Sequence, residues 1–535
     1  MVYYNLTMVP LSIQNLIKAH EADKRRLEHA GSLPQIPVSK AVSAMAKLYE
    51  VLRNTIEYEE EHLLRKRAIK RIILRMGALK REPTQDMASD IVKEILWAKY
   101  LSDFPAPEAA IGTVLQSLQK YKHLVDTFIK IYGDKPGKDT AGFLYSMLAV
   151  EIERILIPSS GMDALVNAEY QFLLPMKLLM GSGVPDKYVP VQTYIAIQRS
   201  LLKSDRDIIG YYLFHNAFNQ WASPTEEYYL LIAKNIEKAV HDINEHLAFH
   251  LKPKLVQEIV RQSVPFRIIN NIIRRNVADA DKTFSTPKEL ETQIENVCKA
   301  EYRRIKGRQR TTIIRSIMYL FVTKVFLALI LEVPYELLVF GAINFITLGI
   351  NIIFPPVLMF LIASSFSIPE VKNTQKLKEM IATVMNPTSV DLSQINRGAL
   401  ERGGVMNTAF RTLNLFSFFL VFGLIILGLF ALHFNIMGIL IFIMFLTLIT
   451  FVAVRLRKTA KEIVVVNEAR SIFSPFIDIA SVPILRIGRT LSDSVSQLNV
   501  FTIIFDVLLE APFKTIIKII EDWTSYLREQ RDQIV

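Results

Sequence analysis

The chain has 535 residues, 51% of them hydrophobic and 21% charged, with 63 Lys and Arg against 52 Asp and Glu, a formal net charge of +11. Its mean hydropathy of +0.26 is higher than a wholly water-facing chain sustains. One cysteine, Cys298, excludes a disulfide framework and any multi-cysteine metal or iron–sulfur site, and the positive balance points to an anionic partner, either nucleic acid or a phospholipid surface.

The opening, MVYYNLTMVPLSIQNLIKAHEADKRR, lacks a basic segment followed by an apolar core, so no secretory signal peptide is expected and the N-terminus is read as cytoplasmic. Residues 1–310 hold helix-length segments separated by turn chemistry, such as GSLPQIP from Gly31 and DFPAPE from Asp103, with no strand alternation. An all-α cytoplasmic region follows. From Ser39 to Leu79 there is no proline and one glycine, and Val42, Met45, Tyr49, Leu52, Ile56 and Leu63 keep a 3-then-4 spacing, which predicts one long helix with a coiled-coil or antiparallel partner. Its far end carries Arg65, Lys66, Arg67, Lys70, Arg71 and Arg75. That basic run is expected either as a solvated helix end pairing with Glu60 and Glu61 or as a contact for anionic lipid headgroups. No aromatic platform or nucleic-acid-binding motif accompanies it, so nucleic acid is not expected as a partner.

Chemistry-bearing patterns fail on inspection. GDKPGKDT from Gly133 has its glycines one residue too close for a phosphate loop, and Asp139 stands where a hydroxyl is needed. His241, His246 and His250 cannot meet on one helix face, and His250 extends the apolar row Ile232, Ile236, Val240, Ile243 and Leu247. Glu59 and His62 form a single E-x-x-H with no second copy, as a di-iron bundle would require. Neither catalysis nor a cofactor is expected. Ser223-Pro224-Thr225-Glu226 and Thr286-Pro287-Lys288-Glu289 mark two helix starts, the second opening a helix that continues toward the first apolar stretch.

Four apolar stretches predict transmembrane helices: Ile313–Leu331, Leu337–Phe366, Leu413–Phe434 and Ile436–Val454. Basic residues crowd before the first, between the second and third, and after the fourth, whereas the connections EVPYE (332–336) and HFN (433–435) hold no Lys or Arg. The bias predicts two hairpins, 311–366 and 412–455, with both termini and the basic loop 367–411 in the cytoplasm, at a plasma (inner) membrane. The second stretch is long for a single span and contains Pro355 and Pro356. A tilted, kinked helix, a broken transport helix, or a re-entrant segment or misplaced boundary would account for it. Lys324 lies within the first stretch, and Glu332, Asn344 and Asn351 are its candidate partners in an intramembrane polar cluster.

Beyond the basic stop at Arg455, Arg457 and Lys458, the tail 456–535 reads as amphipathic helices. In the last one Phe513, Ile516, Ile517, Ile520, Trp523 and Leu527 form a stripe flanked by Lys514 and Lys518, expected at lipid headgroups or docked on the protein itself. The sequence thus predicts an all-α, multi-pass membrane protein. A cytoplasm-facing scaffold or membrane-organising role is expected, with a cytoplasmic protein partner or a second copy of the chain. The alternative is a small-solute or ion transporter using Lys324 and the broken second span.

Overall fold

The computed structural model describes residues 9–37, 60–101, 104–175, 184–249, 251, 253–364, 370–386, 404–460, 463–466 and 523. Among these residues the fold is all-helical, without strands and with one isolated bridge between Gln35 and Pro107. The chain divides into two compact units, one holding the described residues from 9 to 285 and the other those from 286 to 466.

The first unit comprises α1 (Leu11–Ser32), α2 (Glu61–Arg75), α3 (Gln85–Trp97), α4 (Ala109–Tyr132), α5 (Lys138–Leu156) and α6 (Ser160–Leu173). It continues with α7 (Val189–Ile197), α8 (Arg206–Ala217), α9 (Glu226–Ala248), α10 (Pro253–Arg275) and α11 (Ala280–Ser285). α5 is its centre, buried at every residue from 144 to 153 and packed by α2, α4 and α8. A helix enclosed on all sides has no outer face for its polar groups, so Ser146, Glu151 and Glu153 must find partners inside. α1 and α10 both pack on α6.

Local chemistry sets the helix starts. Thr84, Asp205 and Thr225 each accept the backbone N–H three residues on, from Met87, Ile208 and Tyr228. Thr225 therefore caps α9 in place of the expected Ser223, and the apolar row from Ile232 to Leu247 is buried as the spacing requires. Gly133, at φ 73°, ends α4 in the left-handed region and opens the exposed GDKPGKD turn. The expected long helix has its C-terminal part as α2, ending at Arg75; the seam from Val42 to Ile56 and Glu59 lies outside the described residues.

In the second unit α12 runs unbroken from Pro287 to Leu327, with Pro287 at its first position as expected and Thr286 at the N-cap, where its side chain makes no capping hydrogen bond. A π-turn at Ala328–Glu332 leads into α13 (Val333–Phe340). The segment 332–336, expected as an outer turn, is therefore helical: Pro334 sits at the start of α13, where its missing N–H costs little. The chain reverses instead at 341–344, where Gly341 takes φ 68° and Asn344 opens α14 (Phe345–Ser364). α14 is 20 residues long, so the surplus length of the second stretch belongs to α13. Part of the expected basic loop is α15 (Glu370–Met385), held on α12 by Lys306–Glu370 and Lys378–Glu295 ion pairs. α16 (Gly404–Ala431) and α17 (Ile436–Ala460) form the second hairpin, turning at His433 with φ 63°.

Among the described residues one helix, Pro287–Phe340, is long and apolar enough to cross a bilayer. Shorter apolar segments are Phe345–Phe360, Phe416–Ala431 and Ile436–Thr450. Of the four expected spans, that one helix alone meets the full length of a crossing.

Candidate functional site

The second unit has an inverted surface. Tyr319, Val322, Phe326, Leu338, Phe345 and Phe419 are exposed, while Lys324, Glu332, Glu336 and Asn351 are buried. The interior joins Leu320 of α12, Met359 of α14 and Ile441, Phe445 and Ile449 of α17, and Phe354 stacks on Phe442 with ring centres 4.7 Å apart. Within this packing the helices carry a chain of polar groups. Asn351 Nδ2 of α14 donates to Glu332 Oε1 at 2.6 Å. Gly438 of α17 lies so close that a Cβ there would stand 3.0 Å from Glu332 Oε1, which explains a residue without a side chain at that crossing.

One turn further along, Glu336 accepts from both hairpin turns: Oε2 from the Asn344 backbone N–H at 2.9 Å, and Oε1 from Asn435 Nδ2 at 2.7 Å. Each asparagine also caps its own helix. Asn344 Oδ1 accepts from Ile346 and Thr347 N–H, and Asn435 Oδ1 from Gly438 N–H. Lys324 Nζ lies 4.9 Å from the centre of the Phe445 ring. It has no hydrogen-bond partner among the described residues, and Glu332 Oε2 and Asn351 Oδ1 are likewise buried without one.

The structure therefore brings Glu332 and Asn351 together, sends Asn344 to Glu336, and leaves Lys324 without a hydrogen bond or ion pair to any of its expected partners. Sequence reasoning missed Glu336, Asn435 and Gly438. The available signal was the pair of asparagines placed immediately before apolar helices, a capping pattern in both hairpins.

Two of the expected headgroup contacts on α2 are turned inward. Arg65 and Lys66 are buried: Arg65 Nε donates to Glu153 Oε1 at 2.9 Å, and Lys66 Nζ pairs with Asp205 and, at 2.9 Å, with Asp207. The carboxylates of α5 and the α8 start draw these cations inward, because an unpaired buried charge is the costlier alternative. Burial raises the Asp207 carboxyl, but Lys66 and Lys70 outweigh it and hold the group below the ordinary carboxylate range. Arg67, Lys70 and Arg71 are half-buried, with Lys70 donating to Ser146 Oγ at 2.5 Å. Arg455, Arg457 and Lys458 fall on the last turns of α17, their side chains outside the described residues, as are Lys514 and Lys518; Trp523 is exposed.

Elsewhere in the first unit, Glu169 of α6 is fully buried and accepts from Ser263 Oγ of α10 at 2.6 Å, and Ser263 also meets Ser200 Oγ at 2.7 Å. Burial pushes the Glu169 carboxyl up to about 8. No group of three or more metal-ligating side chains occurs among the described residues. No protein-family model matches the chain, and comparison with curated proteins and with solved structures gives no match.

Proposed function

We propose that this chain is a multi-pass membrane protein whose two helical hairpins anchor a cytoplasmic helical unit, and that it works as a membrane scaffold rather than as an enzyme. The inverted surface of the second unit carries this reading. In water, exposed Phe326, Leu338 and Phe419 above buried Lys324 and Glu336 would oppose the hydrophobic effect; in a bilayer the same arrangement is favourable. From Ser316 to Phe340 the helix is about 37 Å long at 1.5 Å per residue, enough to cross a core of roughly 30 Å with some tilt.

The anionic headgroups expected as partners are best met on α12. Counting roughly 100° per residue, Arg308, Arg315, Tyr319, Val322 and Phe326 fall on one face, opposite Lys324. All five are exposed, and neither arginine has an ion-pair partner among the described residues. A face that runs from cations through a tyrosine to apolar side chains matches the path from headgroup to hydrocarbon. With the basic ends inside, both termini are cytoplasmic at a plasma (inner) membrane. The bulk of the chain then faces a cytoplasmic protein partner or a second copy.

A second reading, solute or ion transport, draws on the unpartnered Lys324 Nζ, Glu332 Oε2 and Asn351 Oδ1 in the helical core. Two measurements test the pair of readings. The chain is expected in the pellet after alkaline carbonate extraction, and its release to the supernatant would remove the membrane reading. In proteoliposomes the scaffold reading expects no solute-specific flux, whereas flux abolished by Lys324→Leu would establish the transporter.

A further inference from the structure

We propose that Glu332 and Asn351 form a proton-binding site in the core of the second unit, with the proton on Glu332 Oε2 donated to Asn351 Oδ1. The first bond of the pair is present: Asn351 Nδ2 donates to Glu332 Oε1 at 2.6 Å. The second atom of each group is an acceptor with nothing to accept, since Glu332 Oε2 and Asn351 Oδ1 are both buried and both lack a donor. Turning the amide over only exchanges which group is left with the wrong partner. A single proton satisfies both atoms, because the acid and the amide are planar groups that close a ring of two hydrogen bonds when the carboxyl is in its acid form.

The charges agree with this placement. The ionisable groups that act on Glu332 are Lys324 on α12 and Glu336 on α13. From α14 and α17 it meets Asn351 and Gly438, neither ionisable. Lys324 forms no ion pair among the described residues and lies against the Phe445 ring. An ammonium and a carboxylate held apart in apolar surroundings carry two desolvation costs without the contact that offsets them. Moving one proton removes both charges: an N–H bond of the Lys324 ammonium breaks, the O–H bond of Glu332 forms, and a neutral amine and a neutral acid remain. Glu336 has no free oxygen for this proton, each of its two being occupied by a donor from Asn344 or Asn435.

The site rests on burial of this core and holds whether the core anchors a scaffold or serves transport. Glutamine is an isosteric copy of the protonated acid: it accepts from Asn351 Nδ2 and donates an amide hydrogen to Asn351 Oδ1. The full chain, reconstituted in phosphatidylcholine vesicles, is followed by thermal unfolding from mildly acid to mildly alkaline pH. Glu332→Gln is expected to match the wild-type Tm on the acid side and to rise relative to the wild type toward alkaline pH, because only the wild-type unfolded chain gives up the Glu332 proton while the Lys324 contribution is common to both. The infrared spectrum of the unmutated chain at neutral pH is expected to hold a carboxylic-acid C=O band that is absent from Glu332→Gln and displaced in Asn351→Leu. A large drop in Tm or failure to fold for Glu332→Gln, as expected when Lys324 loses an ionised counter-charge, overturns the proposal. So does a wild-type spectrum in which Glu332 contributes only carboxylate bands. Release of the chain by carbonate would remove the membrane reading and leave this outcome to be read on its own.

Discussion

Asn435 donates from Nδ2 to Glu336 Oε1 at 2.7 Å, so a side chain in the turn of the second hairpin is fastened to a helix of the first, 99 positions earlier in the chain. The other oxygen of the same carboxylate takes the Asn344 N–H in the turn of the first hairpin. One residue thus registers both turns. Glu336→Gln keeps one acceptor oxygen but sets an N–H donor against a second donor. It is expected to cost about 1–3 kcal/mol, and Glu336→Ala, which leaves both donors without an acceptor, is expected to cost more. Unfolding of the full chain in mild detergent checks the order: wild type most stable, then Gln, then Ala. Equal stability of all three would show that the two hairpins are held by packing alone.

Among the described residues Lys66 is the most enclosed cation of the first unit, fully buried and paired with Asp205 and Asp207. Lys66→Met is expected to destabilise the chain by about 3 kcal/mol or more, because it leaves two carboxylates facing each other across an apolar side chain. Adding Asp205→Asn and Asp207→Asn should restore most of that loss, since asparagine still caps α8 through its side-chain oxygen. Denaturant midpoints of the single and triple variants measure the difference. A lysine serving lipid headgroups behaves otherwise, with binding to anionic vesicles reduced and the midpoint unmoved.

Glu169 gives the first unit a pH dependence of definite sign. Its carboxyl is pushed from an ordinary 4.5 up to about 8, chiefly by burial, with the Ser263 hydrogen bond and Arg267 acting in the opposite direction. The folded chain therefore keeps a proton that the unfolded chain gives up. This contribution to stability is complete below the unfolded value and is lost as pH rises toward the folded one, a total on the order of 5 kcal/mol. Glu169→Gln, which keeps an acceptor for Ser263, is expected to match the wild type in acid and to exceed it at pH 8. Denaturation midpoints across that range that run parallel in the two chains would place the proton elsewhere.

The legible part of this molecule was the part written in local pattern. Period-3.6 rows, proline and threonine at helix starts and the apolar stretches are properties of neighbouring residues, and they predicted the all-α class, the burial of Ile232 to Leu247 and the continuous entry of α12. In the basic run on α2 the expected local pair is present, Arg65 Nη1 with Glu61 Oε1 at 3.3 Å, but the burial was missed because the other partners are remote: Glu153 lies 88 positions from Arg65, and Asp207 lies 141 from Lys66. The first hairpin turn was misplaced for the opposite reason. Pro334 between two glutamates has the composition of a loop, yet Glu332 and Glu336 are held in a helix by Asn351 and Asn435, whose contribution is visible only once the hairpins are packed.

That displacement of the turn moves the position at which the proposed topology of the first hairpin is tested. With the reversal at Gly341–Asn344, Ala342 is the position to label, and Val333 lies inside a helix. In a Cys298→Ser background, which removes a thiol that is buried between α12 and its neighbours, single cysteines at Ala342 and His433 mark the two turns. The two-hairpin arrangement expects both to react with a membrane-impermeant maleimide added outside sealed cells, and a cysteine at Lys376, on the exposed side of α15, to react only after the membrane is opened. Alanine at 342 precedes the Asn344 cap and makes no hydrogen bond through its side chain, so this substitution is expected to leave the fold intact. Labelling at His433 without labelling at Ala342 would place the first hairpin wholly on the cytoplasmic side and reduce the anchor to the second hairpin.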